Sequence, residues 1–266
     1  MENKKVYLIT GGSSGIGLAI AEALTANNSQ VISISRSEEK INRALNEKPQ
    51  LKGKVDFIPG DVSNEESITQ LRNYIEKKYE VIHGLINSAG VISVGNLQTL
   101  NSDDWQKMLD VNLTGPFLMT KTLLPLLKKA NGASVINISS IAGLRPGTSI
   151  GYSVSKAGLD MLTRFLVADL GPYNIRVNSI NPGLVKTHLH FDNDLISNQQ
   201  DYDKMVEGAR VRHPLKKVGE PQDIANMVKF LVSDEASWIS GAIVPVAGGV
   251  TEENSFLMPK EDAILK

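Results

Sequence analysis

The chain has 266 residues, of which 41% are hydrophobic and 21% charged, with a formal net charge of −1. That is enough apolar material for one large α/β domain or two small ones, and the weak net charge points to neither nucleic acid nor an anionic membrane surface. The absence of cysteine excludes disulfides, thiol chemistry and cysteine-ligated metals.

In chain order, the first element is the apolar run Val6, Tyr7, Leu8, Ile9. It ends in Thr10 and is followed by glycines at 11, 12, 15 and 17. Ile16, Ala19, Ile20, Ala23 and Leu24 then share one helical face to about Ala26. This predicts a buried strand, a tight turn and a helix N-terminus. Such a turn lets backbone amides and the helix dipole approach an anion, and a nucleotide pyrophosphate is the natural guest. Further strands are expected at Val31 to Ser35, Val55 to Ile58, Val81 to Ile86, Ser134 to Ile138, Ile175 to Ile180 and Ala242 to Val246. Helices are expected at about Ser102 to Ala130, Tyr152 to Leu170 and Pro221 to Leu231, and Ser63-Asn64-Glu65-Glu66 caps another that carries Ile68, Leu71 and Ile75.

Alternating strands and helices, with strands that are continuously apolar, predict a parallel sheet covered on both faces. A doubly wound Rossmann-type α/β domain over residues 1–250 is the economical arrangement, with a substrate loop at about 184–214 and a polar tail at 251–266. Six segments fall at the carboxyl ends of the strands: Gly11–Gly17, Arg36, Asp61–Val62, Asn87–Gly90, Ser139–Ser140 and Asn181–Gly183. The four histidines, His83, His188, His190 and His213, have no metal-ligand spacing, so no metal is expected. No apolar run is long enough to cross a membrane, and the amino terminus enters a strand at once. Cytoplasm is therefore the expected compartment.

Tyr152 and Lys156 stand one turn apart within YSVSK, so both project from one helix face. A free phenol titrates near 10, and a nearby ammonium is expected to bring it toward the working range. Alone this pair is commonplace. It gains meaning behind a strand ending in Ser139-Ser140 and a sheet carrying a nucleotide loop.

With these motifs the chain resembles the classical short-chain dehydrogenase/reductase family over about Lys5 to Gly249. The resemblance rests on TGGSSGIG at 10–17, DV at 61–62, NSAG at 87–90, VNLTGPF at 111–117, NISS at 137–140, YSVSK at 152–156 and NPG at 181–183. It implies that Tyr152 is the general acid, that Lys156 lowers its pKa and holds the nicotinamide ribose, and that Asn112 anchors a relay water. The catalytic serine is Ser140 by its place in the pair, although the spacing to Tyr152 points at Ser139; Ser140 is preferred. For the cofactor it implies Gly11, Ser14, Gly15, Ile16 and Gly17 around the pyrophosphate, and Asp61 and Val62 at the adenine. Asn87 and Gly90 would lie on the adenosine side, with Pro182, Gly183 and Thr187 near the nicotinamide. Two positions depart from the family pattern, Ser88 in place of a second asparagine and Ala247 in place of an aspartate.

The second strand ends in Ser35 and Arg36 without a carboxylate before Glu38. An arginine beside a hydroxyl suits a 2′-phosphate, so NADP is favoured over NAD. The expected activity is hydride transfer between the nicotinamide and a carbonyl or secondary alcohol, with a small-molecule substrate. NAD-dependent alcohol oxidation and a catalytically silent nucleotide-binding scaffold are the alternatives. The 184–214 loop mixes Leu189, Phe191 and Met205 with His188, His190, Asp192 and Asp194, which suggests an apolar-to-mixed pocket. The family resembled also implies a homotetramer. Apolar positions at Leu109, Leu113, Phe117, Leu124, Leu159, Leu162, Phe165 and Leu166 exceed what one sheet face can cover.

Overall fold

The computed structural model describes residues 4–252 apart from Thr148 and Asp194; the rest of the expected polar tail lies outside the described residues. Seven strands run β1 (Val6–Thr10), β2 (Gln30–Ser35), β3 (Val55–Pro59), β4 (Gly84–Asn87), β5 (Ser134–Ile138), β6 (Arg176–Pro182) and β7 (Ile243–Val246). The helices are α1 (Gly15–Ala26), α2 (Glu38–Glu47), α3 (Glu65–Lys78), α4 (Ser102–Leu109), α5 (Gly115–Lys128), α6 (Ile150–Leu170), α7 (Leu189–Asp192), α8 (Gln199–Arg212) and α9 (Pro221–Leu231). The strands form one parallel sheet in the order β3-β2-β1-β4-β5-β6-β7, the doubly wound arrangement expected.

Side chains alternate across this sheet and feed two cores. Val6, Leu8, Leu85 and Val135 join Leu71, Leu123 and Leu127 on one face, while Tyr7, Ile9, Ile86 and Ile136 meet Leu18, Ile20 and Val228 on the other. The order reverses between β1 and β4, where Thr10 stands opposite Asn87. Ligands of such sheets bind in the crevice at this reversal. Here the Thr10 hydroxyl accepts from the backbone N–H of Ser88 and of Ala89, both at 3.1 Å, and so pins the two loops together.

Three expectations are corrected in detail. Strand four is the short Gly84–Asn87, because Val81 and Ile82 belong to the approach from α3. The single long helix over 102–130 is broken at Asp110–Thr114 into π geometry, which joins α4 to α5. The 184–214 segment is less loop-like than expected, since α8 supplies 14 residues of helix capped by Asn198. Among the described residues no helix is long and apolar enough to cross a membrane, and no cluster of three or more His, Asp or Glu side chains could hold a metal.

Candidate active site

The carboxyl ends of the strands open onto a cavity of about 1170 Å³, bounded by the glycine turn, the ends of β2 and β5, the start of α6, and the 182–213 segment. A nucleotide fits the turn for reasons visible in the backbone. Gly11 has φ +69°, and a Cβ there would meet the Ala89 Cα at 2.9 Å. A side chain at Gly17 would strike the Gly11 carbonyl, and one at Gly15, φ +48°, would press on Thr187 at 3.1 Å. The glycines therefore close the turn and leave its mouth bare. α2, α3, α4, α6 and α8 each begin with a side-chain cap, but Ser14 makes none to α1, and no acidic residue lies in the first turn of α1. The free amides of α1 face the cavity, a fit for pyrophosphate.

Ser140, Tyr152 and Lys156 meet on the cavity wall. Strand β5 ends at Ile138, so the next two serines take different directions. The Ser139 hydroxyl is buried and donates to the Lys156 carbonyl at 3.1 Å. Ser140 begins the next turn, accepts from the Ala142 N–H at 3.1 Å and hydrogen-bonds the Tyr152 phenol. The geometry brings Ser140, not Ser139, to the tyrosine. Ser149 caps α6 by accepting from the Tyr152 N–H at 3.3 Å, which fixes the helix start that carries both Tyr152 and Lys156.

Lys156 is 3% exposed and donates to the Ile138 carbonyl at 2.8 Å. Burial lowers its pKa to about 8 against a supporting charge on Asp160. Burial likewise raises the Tyr152 phenol above its ordinary value, and the Ser140 bond pulls only partly the other way. This reverses the expectation of a phenol brought down by the lysine: the Lys156 ammonium lies 5.7 Å from the ring centre, and loss of water outweighs it.

Burial brings Lys156 down to about 8 from its ordinary 10.5, so between those two pH values the unfolded chain binds more protons at this site than the folded one. Stability from this residue therefore rises with pH across that window, by about 1.4 kcal/mol per unit at most. Denaturant titrations at pH 8 and pH 10.5 should show this gain in wild type and lack it in Lys156→Met. Equal pH slopes in the two proteins would refute the assignment.

Asn112 lies in the π segment and is fully buried. Its amide donates to the Val91 carbonyl at 2.9 Å and to Ser155 Oγ at 3.1 Å, while Oδ1 accepts from the Val91 N–H at 2.9 Å. It thereby holds the loop bearing Gly90 over Lys156; a Cβ on Gly90 would stand 3.7 Å from the Lys156 Nζ. Both amide hydrogens are committed to this loop and to Ser155, while Oδ1 keeps a second acceptor site.

The remaining expected cofactor residues divide. Ser14, Gly15, Ile16, Arg36, Val62, Gly90, Pro182, Gly183 and Thr187 line the cavity. Asn87 does not line it, because it is the last residue of β4, is buried, and donates to Asn137 Oδ1 at 2.8 Å. Asp61 stands outside the lining, its carboxylate accepting from the Ser63 N–H and hydroxyl at 2.9 and 2.7 Å. Ser35 also lines the cavity, but its hydroxyl is paired with Ser13, 2.7 Å between oxygens, and Arg36 and Lys40, one turn on, bring positive charge to that end of the wall.

One positioning residue is not marked by any motif. Asp160, 6% exposed, accepts from Ser179 Oγ and Asn181 Nδ2, both at 2.7 Å, and Asn181 in turn donates to the Ser140 carbonyl at 2.8 Å. This network holds the Ser140 backbone from behind. Its signal was an Asp one turn beyond Lys156 on a helix face that carries the buried Leu159.

The family description "Enoyl-(Acyl carrier protein) reductase" matches residues 11–251. The chain is a short-chain dehydrogenase/reductase. This dehydrogenase/reductase is 33% identical over 248 residues to the 3-oxoacyl-(acyl-carrier-protein) reductase FabG of Thermotoga maritima, covering 92% of this chain and 97% of that protein. It also superposes on the ligand-free aldohexose dehydrogenase of Thermoplasma acidophilum with a TM-score of 0.86 and 30% identity, covering 97% and 98% of the two chains. A third similar protein is ElxO with NADP bound, with a TM-score of 0.84 at 30% identity over 94% of this chain and 100% of that one. Short-chain dehydrogenase/reductases act on carbonyls or alcohols with a nicotinamide cofactor, and that activity carries to this member.

Proposed function

We propose that the protein is an NADP(H)-dependent reductase of carbonyls, reversible toward secondary alcohols, with Tyr152 as general acid and base. The observation that carries this is the Ser140–Tyr152–Lys156 cluster on the wall of the cavity whose other end is the glycine turn. When bound, the nicotinamide supplies the hydride. The turn from Gly11 to Gly17, with Ser14 and Ile16, would hold the pyrophosphate, Val62 the adenine, Lys156 the nicotinamide ribose, and Pro182, Gly183 and Thr187 the nicotinamide.

A phenol raised by burial keeps its proton at neutral pH, which suits it to donate to a carbonyl oxygen as charge builds there. The Ser140 hydroxyl, already bonded to that phenol, orients the same oxygen. Lys156, titrating near 8, is charged at pH 7 and stabilises the phenolate left behind. A panel of 3-oxoacyl thioesters, sugars and cyclic ketones, followed by NADPH absorbance, tests the reading; no turnover of any of them would count against it.

Cofactor choice rests on Arg36, which lines the cavity at the end of β2. A charge-assisted contact to a phosphate is worth roughly 1.5–3 kcal/mol. Arg36→Ala should therefore weaken NADPH binding by roughly tenfold to a hundredfold and leave NADH binding unchanged. Equal losses for both nucleotides, or tighter NADH binding in wild type, would show that Arg36 does not read the phosphate.

We further propose a homo-oligomer, a tetramer by the family pattern, built on the outer faces of α5 and α6. Of the positions expected there, Phe117 and Phe165 are exposed and are joined by Val154 and Met161, whereas Leu159 belongs to the core. Val154, Met161 and Phe165 recur on one face of α6, and a run of exposed apolar side chains along one helix face is what a subunit contact would cover. Light scattering at micromolar concentration should report a multiple of the 28.9 kDa chain, and a monomeric mass would refute this.

A further inference from the structure

The stretch from Pro182 to His213 that bounds one side of the cavity, called the flap below, is tied to the end that carries Arg36. Asp192, the last residue of α7, places Oδ2 2.7 Å from the Lys40 Nζ and Oδ1 3.8 Å from the Arg43 Nη2. Both cations belong to α2, which begins just beyond Arg36, and Lys40 and Asp192 both line the cavity. The contact spans 152 positions of sequence and joins the cofactor half of the molecule to the flap. Nor is Asp192 there by chance of a loose loop. Phe191 packs on the Tyr202 ring of α8 with centres 5.1 Å apart, and Asn193 Oδ1 accepts from the Ile92 N–H at 3.3 Å. α7 is thus held on three sides, and its carboxylate faces α2.

The cations outnumber their partners. Arg36 and Lys40 line the cavity and Arg43 follows on α2; Asp192 meets Lys40 and Arg43, and Glu47 lies 3.9 Å from the Arg43 Nε. Arg43 Nη2 is buried, and among the described residues it makes no hydrogen bond, its nearest carboxylate standing at 3.8 Å. The Arg43 side chain is otherwise 39% exposed, and a donor whose only nearby carboxylate stands at 3.8 Å can turn to a better placed anion oxygen. The lysine head is mobile on a long stem and can move between two oxygens.

We propose that Lys40 and Arg43 extend the Arg36 phosphate clamp, and that Asp192 of the flap competes with a nucleotide 2′-phosphate for them. This rests on the NADP reading above. A 2′-phosphate at Arg36 recruits Lys40 and loosens Asp192, so the flap is released from α2 by NADPH and retained by NADH. The flap carboxylate is therefore a determinant of cofactor choice, although it lies far from β2 in sequence.

The test is a thermodynamic cycle on nucleotide dissociation constants, measured by fluorescence without substrate, so that effects on substrate capture do not enter. Asp192→Asn keeps the shape of the flap and removes the competitor; it should tighten NADPH about threefold or more and leave NADH within twofold. Lys40→Met should weaken NADPH by about fivefold or more. In Lys40→Met/Arg43→Met, the Asp192→Asn gain should vanish, because Asp192 acts through those cations. A gain that persists in that background would show direct repulsion between Asp192 and the phosphate and overturn the competition. Weaker NADH binding in Asp192→Asn would overturn it too, by making Asp192 an acceptor for ribose hydroxyls. If wild type prefers NADH, the NADP reading fails, but the cycle still reports whether Asp192 and the cations are coupled.

Discussion

Tyr152→Phe should lower kcat by about a hundredfold to ten-thousandfold, the range for loss of a positioned general acid, and leave nucleotide dissociation constants unchanged. The ring stays to pack at the start of α6, where the Ser149 cap on the Tyr152 N–H is a backbone contact that the variant keeps. Only the proton and the Ser140 bond are lost. Steady-state rates on any substrate found in the panel, with nucleotide titration alongside, check this. A variant that retains most of its turnover would remove Tyr152 from the mechanism.

The second large effect is expected at a residue remote from the substrate. Asp160→Ala deletes the acceptor of two buried charge-assisted hydrogen bonds, from Ser179 and Asn181. At roughly 1.5–3 kcal/mol each, with partial re-pairing of Ser179 to Asn181, the loss should be on the order of 3 kcal/mol. For a chain of this size that is a fall in Tm of about 6–12 °C. Asp160→Asn should recover much of the stability but not the charge that supports Lys156, so its kcat/KM should decline at lower pH than in wild type. An Asn variant with an unchanged pH profile would confine Asp160 to a structural part.

The sheet was legible because each buried strand declares itself as an apolar run, and β5 and α9 fall on their expected bounds. The site was legible where chemistry is local: Tyr152 and Lys156 share a helix face whatever surrounds them. The residues that escaped depend on where a strand stops. Asn87 is still a paired strand residue, so its side chain is spent inside the sheet, and the loop that reaches the cavity starts at Ser88. The choice between Ser139 and Ser140 turns on the same one-residue question at the end of β5. The sign of the Tyr152 shift depended on burial, which no spacing of residues reveals. The Lys40–Asp192 contact joins two polar residues that look like solvated surface until the flap folds across.

The π segment at Asp110–Thr114 makes chain length itself a catalytic variable. A helix between Ser102 and Lys128 would be more regular with one residue fewer, and backbone geometry favours that repair. But each residue removed turns α4 by about 100° relative to α5. Asn112 would then swing away from Val91 and Ser155, and the loop over Lys156 would lose its tether. The exposed turn at Gly53, with open space around it, can absorb a change in length without such a consequence. Drift in this protein is therefore free to lengthen or trim its outer turns, while the count of residues between Trp105 and Phe117 stays fixed by the asparagine it aims.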